Sequence, residues 1–150
     1  MPHLSINSPL GPLTVFEEAG ALVALDFGRA PDGGASPLLD EAAVQLEAFF
    51  DGKRRAFRLP LAPAGSAFQR AVWAAIEGIP YGETRTYGEI ARQLASAARA
   101  VGAACAANPI PIVIPCHRVL GAAGRLTGYS GGEGPETKRA LLVLEGARLF

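Results

Sequence analysis

The sequence predicts an α+β protein in which a small antiparallel sheet with one helix precedes a mostly helical domain. Short stretches of strand-forming residues, separated by Pro and Gly turns, fill the start of the chain. Apolar residues at helical spacing dominate from residue 66 onward. A chain of 150 residues is long enough for two such units. We therefore predict an N-terminal α+β domain over residues 1–62 and a C-terminal domain over residues 63–150.

The N-terminal domain is predicted to be a three-stranded meander covered by a helix. Its strand-like stretches lie at residues 3–7, 13–17 and 21–27. Apolar residues then recur at helical spacing up to Gly52, namely Leu39, Ala42, Ala43, Leu46, Phe49 and Phe50. One face of this helix can therefore cover the sheet.

Two capping boxes predict helix starts in the C-terminal domain. Ser66 with Gln69, and Thr86 with Glu89, have the spacing at which each side chain bonds the backbone of the other residue. The first box opens a long core helix, and the second opens a short helix that ends near residue 94.

A third helix, at residues 98–107, consists almost wholly of small side chains and follows after only residues 95–97. Two short helices joined by such a tight turn indicate a helix-turn-helix of the winged-helix kind. A plain helical hairpin shares this pattern, so the pattern alone leaves DNA binding open.

The rest of the C-terminal domain combines loops with one more helix. Residues 112–114 are predicted to form a short, buried, extended run, because the prolines before them cannot continue a helix. Residues 121–134 are predicted to form a glycine-rich loop or hairpin, and the last helix is predicted to run from Pro135 to Gly146.

Composition excludes several classes of protein. With 49% hydrophobic and 19% charged residues, the chain is globular and not disordered. No apolar run reaches the roughly 18 residues of a membrane span, and no signal peptide is evident, so we expect a cytoplasmic protein without membrane association. Two cysteines and two histidines without zinc-ligand spacing predict no metal, and no other cofactor is expected.

Charge is unevenly distributed along the chain. Residues 1–81 carry six Lys or Arg against nine Asp or Glu, whereas residues 82–150 carry eight against five. If DNA binds, we expect it to bind the C-terminal half, because affinity depends on local phosphate neutralisation.

Cys116 is the candidate nucleophile. Most free cysteines are small buried hydrophobes, and Cys105 in its Ala- and Gly-rich helix fits that interpretation. Around Cys116, Pro115 fixes the chain direction, while His117 and Arg118 put two potential positive charges beside the sulfur. Such charges favour the thiolate, the form that attacks carbon.

Four further residues have both a structural and a functional interpretation. His117 is a structural histidine or a general base, which needs a carboxylate to orient it. Glu145 is a surface residue or that carboxylate, since the helix dipole disfavours a negative charge at a helix C-terminus. Arg99 is a solvated charge or a cation that enters the DNA stack, and Tyr87 is core filler or a DNA contact.

Residues 108–119 and 128–132 resemble the active-site signature and the following loop of O6-alkylguanine-DNA alkyltransferases. The two segments read Asn-Pro-Ile-Pro-Ile-Val-Ile-Pro-Cys-His-Arg-Val and Gly-Tyr-Ser-Gly-Gly. The resemblance covers residues 66–149 closely and the first 60 in general architecture. It implies a methylated-DNA–[protein]-cysteine S-methyltransferase that flips an O6-alkylguanine out of double-stranded DNA and keeps its alkyl group irreversibly. Binding through the minor groove, as a monomer, is also implied, and O4-alkylthymine is an open second substrate.

The resemblance implies a role for each matching residue at the reacting centre. Cys116 corresponds to the alkyl acceptor, His117 to its base acting through a water, and Glu145 to the carboxylate that orients the base. Asn108 corresponds to the residue that joins the DNA-binding helix to the active-site segment.

The resemblance to the alkyltransferases also implies which residues contact DNA and the substrate base. Tyr87 corresponds to a contact of the flipped nucleotide, and Arg99 to the residue that fills its place in the duplex. Tyr129 and Ser130 correspond to the loop over the guanine, and Val119, like Cys116, would offer a backbone carbonyl to the base.

Several positions depart from the family pattern. The turn before Arg99 is about two residues shorter than usual, extra residues lie within 133–136, and Ala140 replaces a bulky aromatic. These departures bear on the helix-turn-helix angle and on the alkyl groups accepted.

Three other classes of protein share some of these features: a lesion-recognition relative without the acceptor cysteine, a cysteine hydrolase and a winged-helix regulator. The presence of Cys116 argues against the lesion-recognition relative. The lack of an oxyanion motif argues against the cysteine hydrolase, and a winged-helix regulator would leave the Pro-Cys-His-Arg segment unexplained.

Overall fold

The computed structural model describes residues 1–31, 33–127, 129 and 131–147, and divides the chain into two compact units, Met1–Ala64 and Gly65–Phe150. In the first unit, β1, β2 and β3 form an antiparallel sheet in that order, followed by helix α1. These elements are β1 (His3–Ile6), β2 (Leu13–Glu18), β3 (Ala21–Phe27) and α1 (Pro37–Phe50). The predicted meander with one helix is confirmed.

Helix α1 covers the sheet with the face that its apolar spacing predicts. The Ser36 hydroxyl accepts a hydrogen bond from the Leu39 amide and so caps the helix N-terminus. Leu39, Leu46 and Phe49 are fully buried. Burying each such side chain contributes about 1.5–3 kcal/mol to the free energy of folding, so the burial of this face is the main interaction that holds the helix on the sheet.

The second unit is mostly helical, as predicted. Its elements are α2 (Ala67–Glu77), β4 (Arg85–Thr86), α3 (Tyr87–Gln93), α4 (Ala98–Ala106), a 3₁₀ turn (Cys116–Arg118), β5 (Val119–Leu120), a second 3₁₀ turn (Ala122–Gly124) and α5 (Pro135–Leu144). The two predicted capping boxes are both present, at the starts of α2 and α3. The buried indole of Trp73 in α2 donates to the Ala104 carbonyl at 2.9 Å and so fastens α4 to the core.

A parallel strand pair that the sequence did not predict joins two distant parts of this unit. Arg85 pairs with Val119 and Thr86 with Leu120. Each strand has only two residues, too few for a periodic signal. The pair places the start of α3 beside the segment that follows the 3₁₀ turn at Cys116.

The prediction of an extended run at residues 112–114 is wrong. The Ile114 amide donates to the Ile110 carbonyl at 2.9 Å, which closes a turn, and Ile112 has a φ of 75°. A β-branched residue at positive φ costs about 1–3 kcal/mol. Burial of Ile110, Ile112 and Ile114, together with the hydrogen bonds that the Asn108 side chain donates and accepts, offsets this cost.

The described residues contain neither a membrane-spanning helix nor a cluster of metal ligands. None of the helices in these ranges is long and apolar enough to cross a membrane. Within the same ranges, no three His, Cys, Asp or Glu side chains converge as metal ligands.

Candidate active site

Cys116 opens the 3₁₀ turn and is held by backbone hydrogen bonds on both sides. Its amide donates to the Ile114 carbonyl at 2.8 Å, and its carbonyl accepts from the Val119 amide. The residue is 7% exposed. The backbone therefore fixes the position of Cys116, and only a small part of the residue is exposed.

Burial raises the pKa of the Cys116 thiol, and two neighbouring residues oppose that shift. A hydrogen bond from the Asn108 side chain and the positive charge of Lys138 both favour the thiolate. The prediction that His117 and Arg118 supply the charge beside the sulfur is wrong. Burial lowers the pKa of His117, which keeps its ring neutral, and the Arg118 guanidinium binds elsewhere.

His117 and Glu145 form a buried pair, as their proposed partnership requires. His117 Nε2 lies 2.8 Å from Glu145 Oε2, and neither side chain is exposed. A neutral ring that donates from Nε2 to the carboxylate leaves Nδ1 as the acceptor. Nδ1 has no hydrogen-bond partner among the described residues. The pair therefore leaves one ring nitrogen able to take a proton.

Arg118 holds the same carboxylate from its other side. Its Nε and Nη2 donate to the two Glu145 oxygens at 2.9 and 2.7 Å, and its Nη1 donates to the Ile79 carbonyl at 2.7 Å. Burial by itself would raise the pKa of Glu145, but hydrogen bonds from His117 and Arg118 hold it at about 2. Glu145 thus stays ionised in the interior, which is why a carboxylate is stable at this helix end.

The loop before β4 supports the end of α5. The Tyr81 hydroxyl donates to the Leu144 carbonyl at 3.3 Å, and Gly82 has a φ of 82°. A Cβ atom at Gly82 would lie 3.2 Å from the Glu145 carbonyl oxygen. Glycine therefore meets both the backbone conformation and the close approach at this position.

Lys138 is the charged residue near Cys116 that the sequence analysis missed. It is fully buried in α5, and its Nζ donates to the Thr127 carbonyl at 2.7 Å and to the Tyr87 hydroxyl at 3.4 Å. Burial lowers the pKa of Lys138 to about 8, although Cys116 and Cys105 oppose the shift. A signal was available, because Lys138 shares helical spacing with the buried Leu141 and Leu142.

Tyr87 lies at the start of α3 beside an open groove of about 520 Å³. Its hydroxyl donates to the Thr127 carbonyl at 3.0 Å, and the Lys138 ammonium lies 5.5 Å from the centre of its ring. Burial raises the pKa of Tyr87 to about 12, so the phenol stays protonated at neutral pH. Arg99 and Gly102 of α4 line the same groove, and nothing lies within 4 Å of a Cβ placed at Gly102.

Asn108 links the end of α4 to the turn before Cys116. Its Nδ2 donates to the Ile114 carbonyl at 2.9 Å, and its Oδ1 accepts from the Ile110 amide at 2.9 Å. The side chain thus fixes the turn and also hydrogen-bonds Cys116.

The other predicted site residues fall into three groups. Val119 and Tyr129 are buried, and burial raises the pKa of the Tyr129 phenol. Arg99 is exposed on α4 and shares the groove with Tyr87, but among the described residues it forms no hydrogen bond or ion pair with His117 or Glu145. Ser130 lies outside the described residues. Cys105 is buried in α4, which raises its pKa to about 12 and fits a packing role.

Comparison with known proteins identifies the family. A model described as "6-O-methylguanine DNA methyltransferase, DNA binding domain" matches residues 67–147, and one described as its "ribonuclease-like domain" matches residues 3–63. A methylated-DNA--protein-cysteine methyltransferase of Mycolicibacterium paratuberculosis is 57% identical over 95% of this chain and 91% of its own length. One of Methanosarcina acetivorans is 44% identical over 98% of this chain and 99% of its own length.

A solved structure is similar over the same extent. The crystal structure of Mycobacterium tuberculosis OGT in complex with DNA has a TM-score of 0.88 and 46% identity, and the match covers 97% of this chain and 93% of that one. Sequence, domain order and fold therefore agree along nearly the whole length. The chain belongs to the 6-O-methylguanine DNA methyltransferase family.

Proposed function

We propose that this protein repairs DNA by moving the alkyl group of O6-alkylguanine onto Cys116, once per molecule. The observation that carries the proposal is the buried His117–Glu145 pair directly after a backbone-fixed cysteine. The family supports it, since the relatives are methylated-DNA--protein-cysteine methyltransferases.

The transfer is a displacement at carbon. His117 Nδ1 takes the Cys116 proton through a water, while Glu145 holds the ring in the required tautomer. The thiolate attacks the alkyl carbon, the carbon–O6 bond breaks, and its electron pair goes to the guanine, which takes up one proton in place of the one that Cys116 gave to His117. The product is a thioether, which no general acid or base in the site can cleave, so the reaction is stoichiometric and irreversible.

Asn108 and Lys138 support the thiolate in this scheme. Both favour the charged form of Cys116 against the effect of burial. A buried thiol whose ionised form is favoured by a hydrogen bond and a positive charge suits a nucleophile that reacts away from bulk solvent.

The groove of the C-terminal unit is proposed to bind the DNA. Helix α4 has small side chains that let its backbone approach the minor groove, and its N-terminus has no side-chain cap, so backbone N–H groups there can attract phosphate. Arg99 would fill the position left by the flipped base, and Tyr87 would contact that nucleotide. Flipping costs a few kcal/mol, and least where alkylation has weakened pairing, so damage is selected over sequence.

The remaining assignments follow from this scheme. Val119, Tyr129 and Ser130 are proposed to contact the guanine. The functional division is proposed to lie between residues 62 and 63, with DNA binding and transfer in the C-terminal part. Because both cysteines are free and Cys116 must stay reduced, we propose that the protein works in the cytoplasm.

The test is transfer from free O6-benzylguanine and from an O6-methylguanine duplex, followed by peptide mass spectrometry. We expect one alkyl group on Cys116 and none on Cys105. The Cys116→Ala variant should lose transfer and keep duplex binding, whereas the Cys105→Ser control should still react at Cys116. Tight binding to the lesion without any adduct would instead make the protein a lesion-recognition relative.

A further inference from the structure

Positive charge in the first half of the chain is concentrated in one short segment. Four of the six Lys and Arg residues within positions 1–81 lie at residues 53–58, which we call the basic strap: Lys53, Arg54, Arg55 and Arg58. The rest of that half is acidic, and its Asp and Glu residues outnumber its cations. The strap follows α1 directly and belongs to the N-terminal unit.

The strap has a fixed backbone. The Lys53 amide donates to the Ala48 carbonyl at 2.9 Å. Gln45, which is buried in α1, donates to the Arg58 carbonyl at 3.1 Å and accepts from the Arg58 amide at 2.9 Å. The ring of Phe57 packs 5.3 Å from that of Phe49. The cations are therefore presented on an ordered segment, which lowers the entropy cost of binding a partner.

Three of the four strap cations have no carboxylate partner among the described residues. Within the described parts of the chain, Lys53, Arg54 and Arg58 form no ion pair. Lys53 and Arg58 are exposed, and Arg54 Nε is buried without a hydrogen-bond acceptor. Like charges this close repel one another in the free protein, so a polyanion would relieve a cost that the fold carries.

We propose that the basic strap is a second phosphate-binding surface for duplex DNA, separate from the groove of the C-terminal unit. This inference rests on the proposed function, which makes DNA the polyanion that the protein must meet. Six residues span at most about 20 Å, and long Lys and Arg side chains add to their reach; because duplex DNA carries one charge per roughly 1.7 Å of axis, more than one phosphate lies within reach. Guanidinium groups suit phosphate because they can donate two parallel hydrogen bonds to it.

Such a surface would add affinity without sequence preference. Contacts to phosphate position a protein on DNA but carry no base information. This property suits a protein that must examine long stretches of DNA for a rare damaged base.

The experiment measures binding of the full chain to an undamaged duplex between about 50 and 200 mM salt by fluorescence anisotropy. The combined Lys53→Gln, Arg54→Gln and Arg58→Gln variant is compared with the unaltered protein. We expect the slope of log affinity against log salt to fall by about 0.9 for each phosphate that the variant no longer neutralises, and binding at low salt to weaken about tenfold or more. Arg29→Gln, which removes an exposed cation outside the strap, is the matched control and should leave the slope unchanged.

Transfer from free O6-benzylguanine separates the possible failures. The strap variant should react with the free base at the unaltered rate, which shows that fold and site are intact. If the triple variant reacts more slowly, its fold is altered, and the salt slopes of the single variants Lys53→Gln and Arg58→Gln are compared with that of the parent protein instead. If the parent protein transfers the benzyl group and the strap variant has the same salt slope as the parent, the strap proposal is overturned and the proposed function stands. A parent protein that never transfers the benzyl group would overturn the proposed function, and a reduced slope in the variant would still support the strap.

Discussion

Glu145 Oε2 accepts a hydrogen bond from His117 Nε2 at 2.8 Å, and the two residues come from segments far apart in the chain. Arg118, the next residue after His117, bonds both oxygens of the same carboxylate. One buried carboxylate therefore orients the histidine and balances the charge of the arginine. Loss of Glu145 should affect both reactivity and stability.

Substitution Glu145→Gln should slow transfer and destabilise the fold. His117 loses the group that fixes its tautomer, so the single-turnover rate constant should fall by about 10²–10⁴-fold. Arg118 is left as a buried charge without its partner, which costs about 3–5 kcal/mol in the free energy of unfolding measured with urea. Glu136→Gln, on the exposed face of α5, should change neither quantity. An unaltered transfer rate in folded Glu145→Gln protein would contradict the role of the pair.

Acid should destabilise the parent protein through Glu145. Its folded pKa of about 2 lies below its ordinary value of 4.5, so the ionised form is the one that the fold favours. The stabilisation is complete above pH 4.5 and is lost as the pH falls toward 2. The Glu145→Gln variant should show a smaller loss of unfolding free energy over the same range. Parallel acid titrations of the two proteins would argue against this linkage.

The charge of Lys138 should raise the reactivity of Cys116 below about pH 8. Below its pKa of about 8, Lys138 is charged and favours the Cys116 thiolate. Lys138→Met should therefore slow alkylation of the thiol by iodoacetamide below about pH 8, and the difference from the parent protein should shrink above pH 8, where Lys138 is neutral. Lys138→Arg should keep the charge past pH 8. If the thiol titrates identically in the Met variant, the electrostatic link is absent.

Lys138 should also make stability depend on pH in the alkaline range. Its folded pKa lies below the ordinary value of 10.5, so the fold favours the neutral amine. The contribution of Lys138 is complete above pH 10.5 and is lost as the pH falls toward 8. Relative to Lys138→Met, the parent protein should gain unfolding free energy between pH 8 and 10.5 in urea titrations. If the parent protein gains no unfolding free energy relative to Lys138→Met over this range, burial does not penalise the charge of Lys138.

Asn108 should be needed for both the turn and the thiolate. Asn108→Ala leaves the Ile110 amide without its acceptor, and an unsatisfied buried group costs about 1–3 kcal/mol, whereas the Ile114 carbonyl keeps the Cys116 amide as its donor. Asn108→Asp keeps an acceptor for Ile110 but loses the donor, and its negative charge should raise the pKa of the Cys116 thiol. We expect slower transfer in both variants, with Asp slower than Ala at equal folded fraction. The reverse order would show that the turn, and not the charge of the thiol, limits the rate.

Arg99 should matter only when the guanine lies in a duplex. Arg99→Ala should slow repair of an alkylated duplex far more than reaction with free O6-benzylguanine, because only the duplex needs its vacated position filled. Arg92→Ala, which removes an exposed cation from α3, is the control and should affect the duplex reaction much less. Equal losses on both substrates would contradict the role proposed for Arg99.

Local rules account for what could be predicted of the fold. The capping boxes at Ser66 and Thr86, the meander and the amphipathic α1 each depend on residues a few positions apart. The turn at Ile112 could not be predicted, because its β-branched residue adopts a strained φ that only burial and Asn108 make stable. The β4–β5 pair was missed because two-residue strands have no periodicity.

The sequence by itself determined the order of the elements and, through the segment around Cys116, the chemistry to look for. Only the tertiary structure decided which charges act on which groups. Arg118 follows Cys116 and His117 closely in sequence, yet it binds Glu145, whereas Lys138, distant in sequence, supplies the charge that favours the thiolate. The reason is that electrostatic effects depend on distance and burial in space, and the packing of α5 against the 3₁₀ turn sets both.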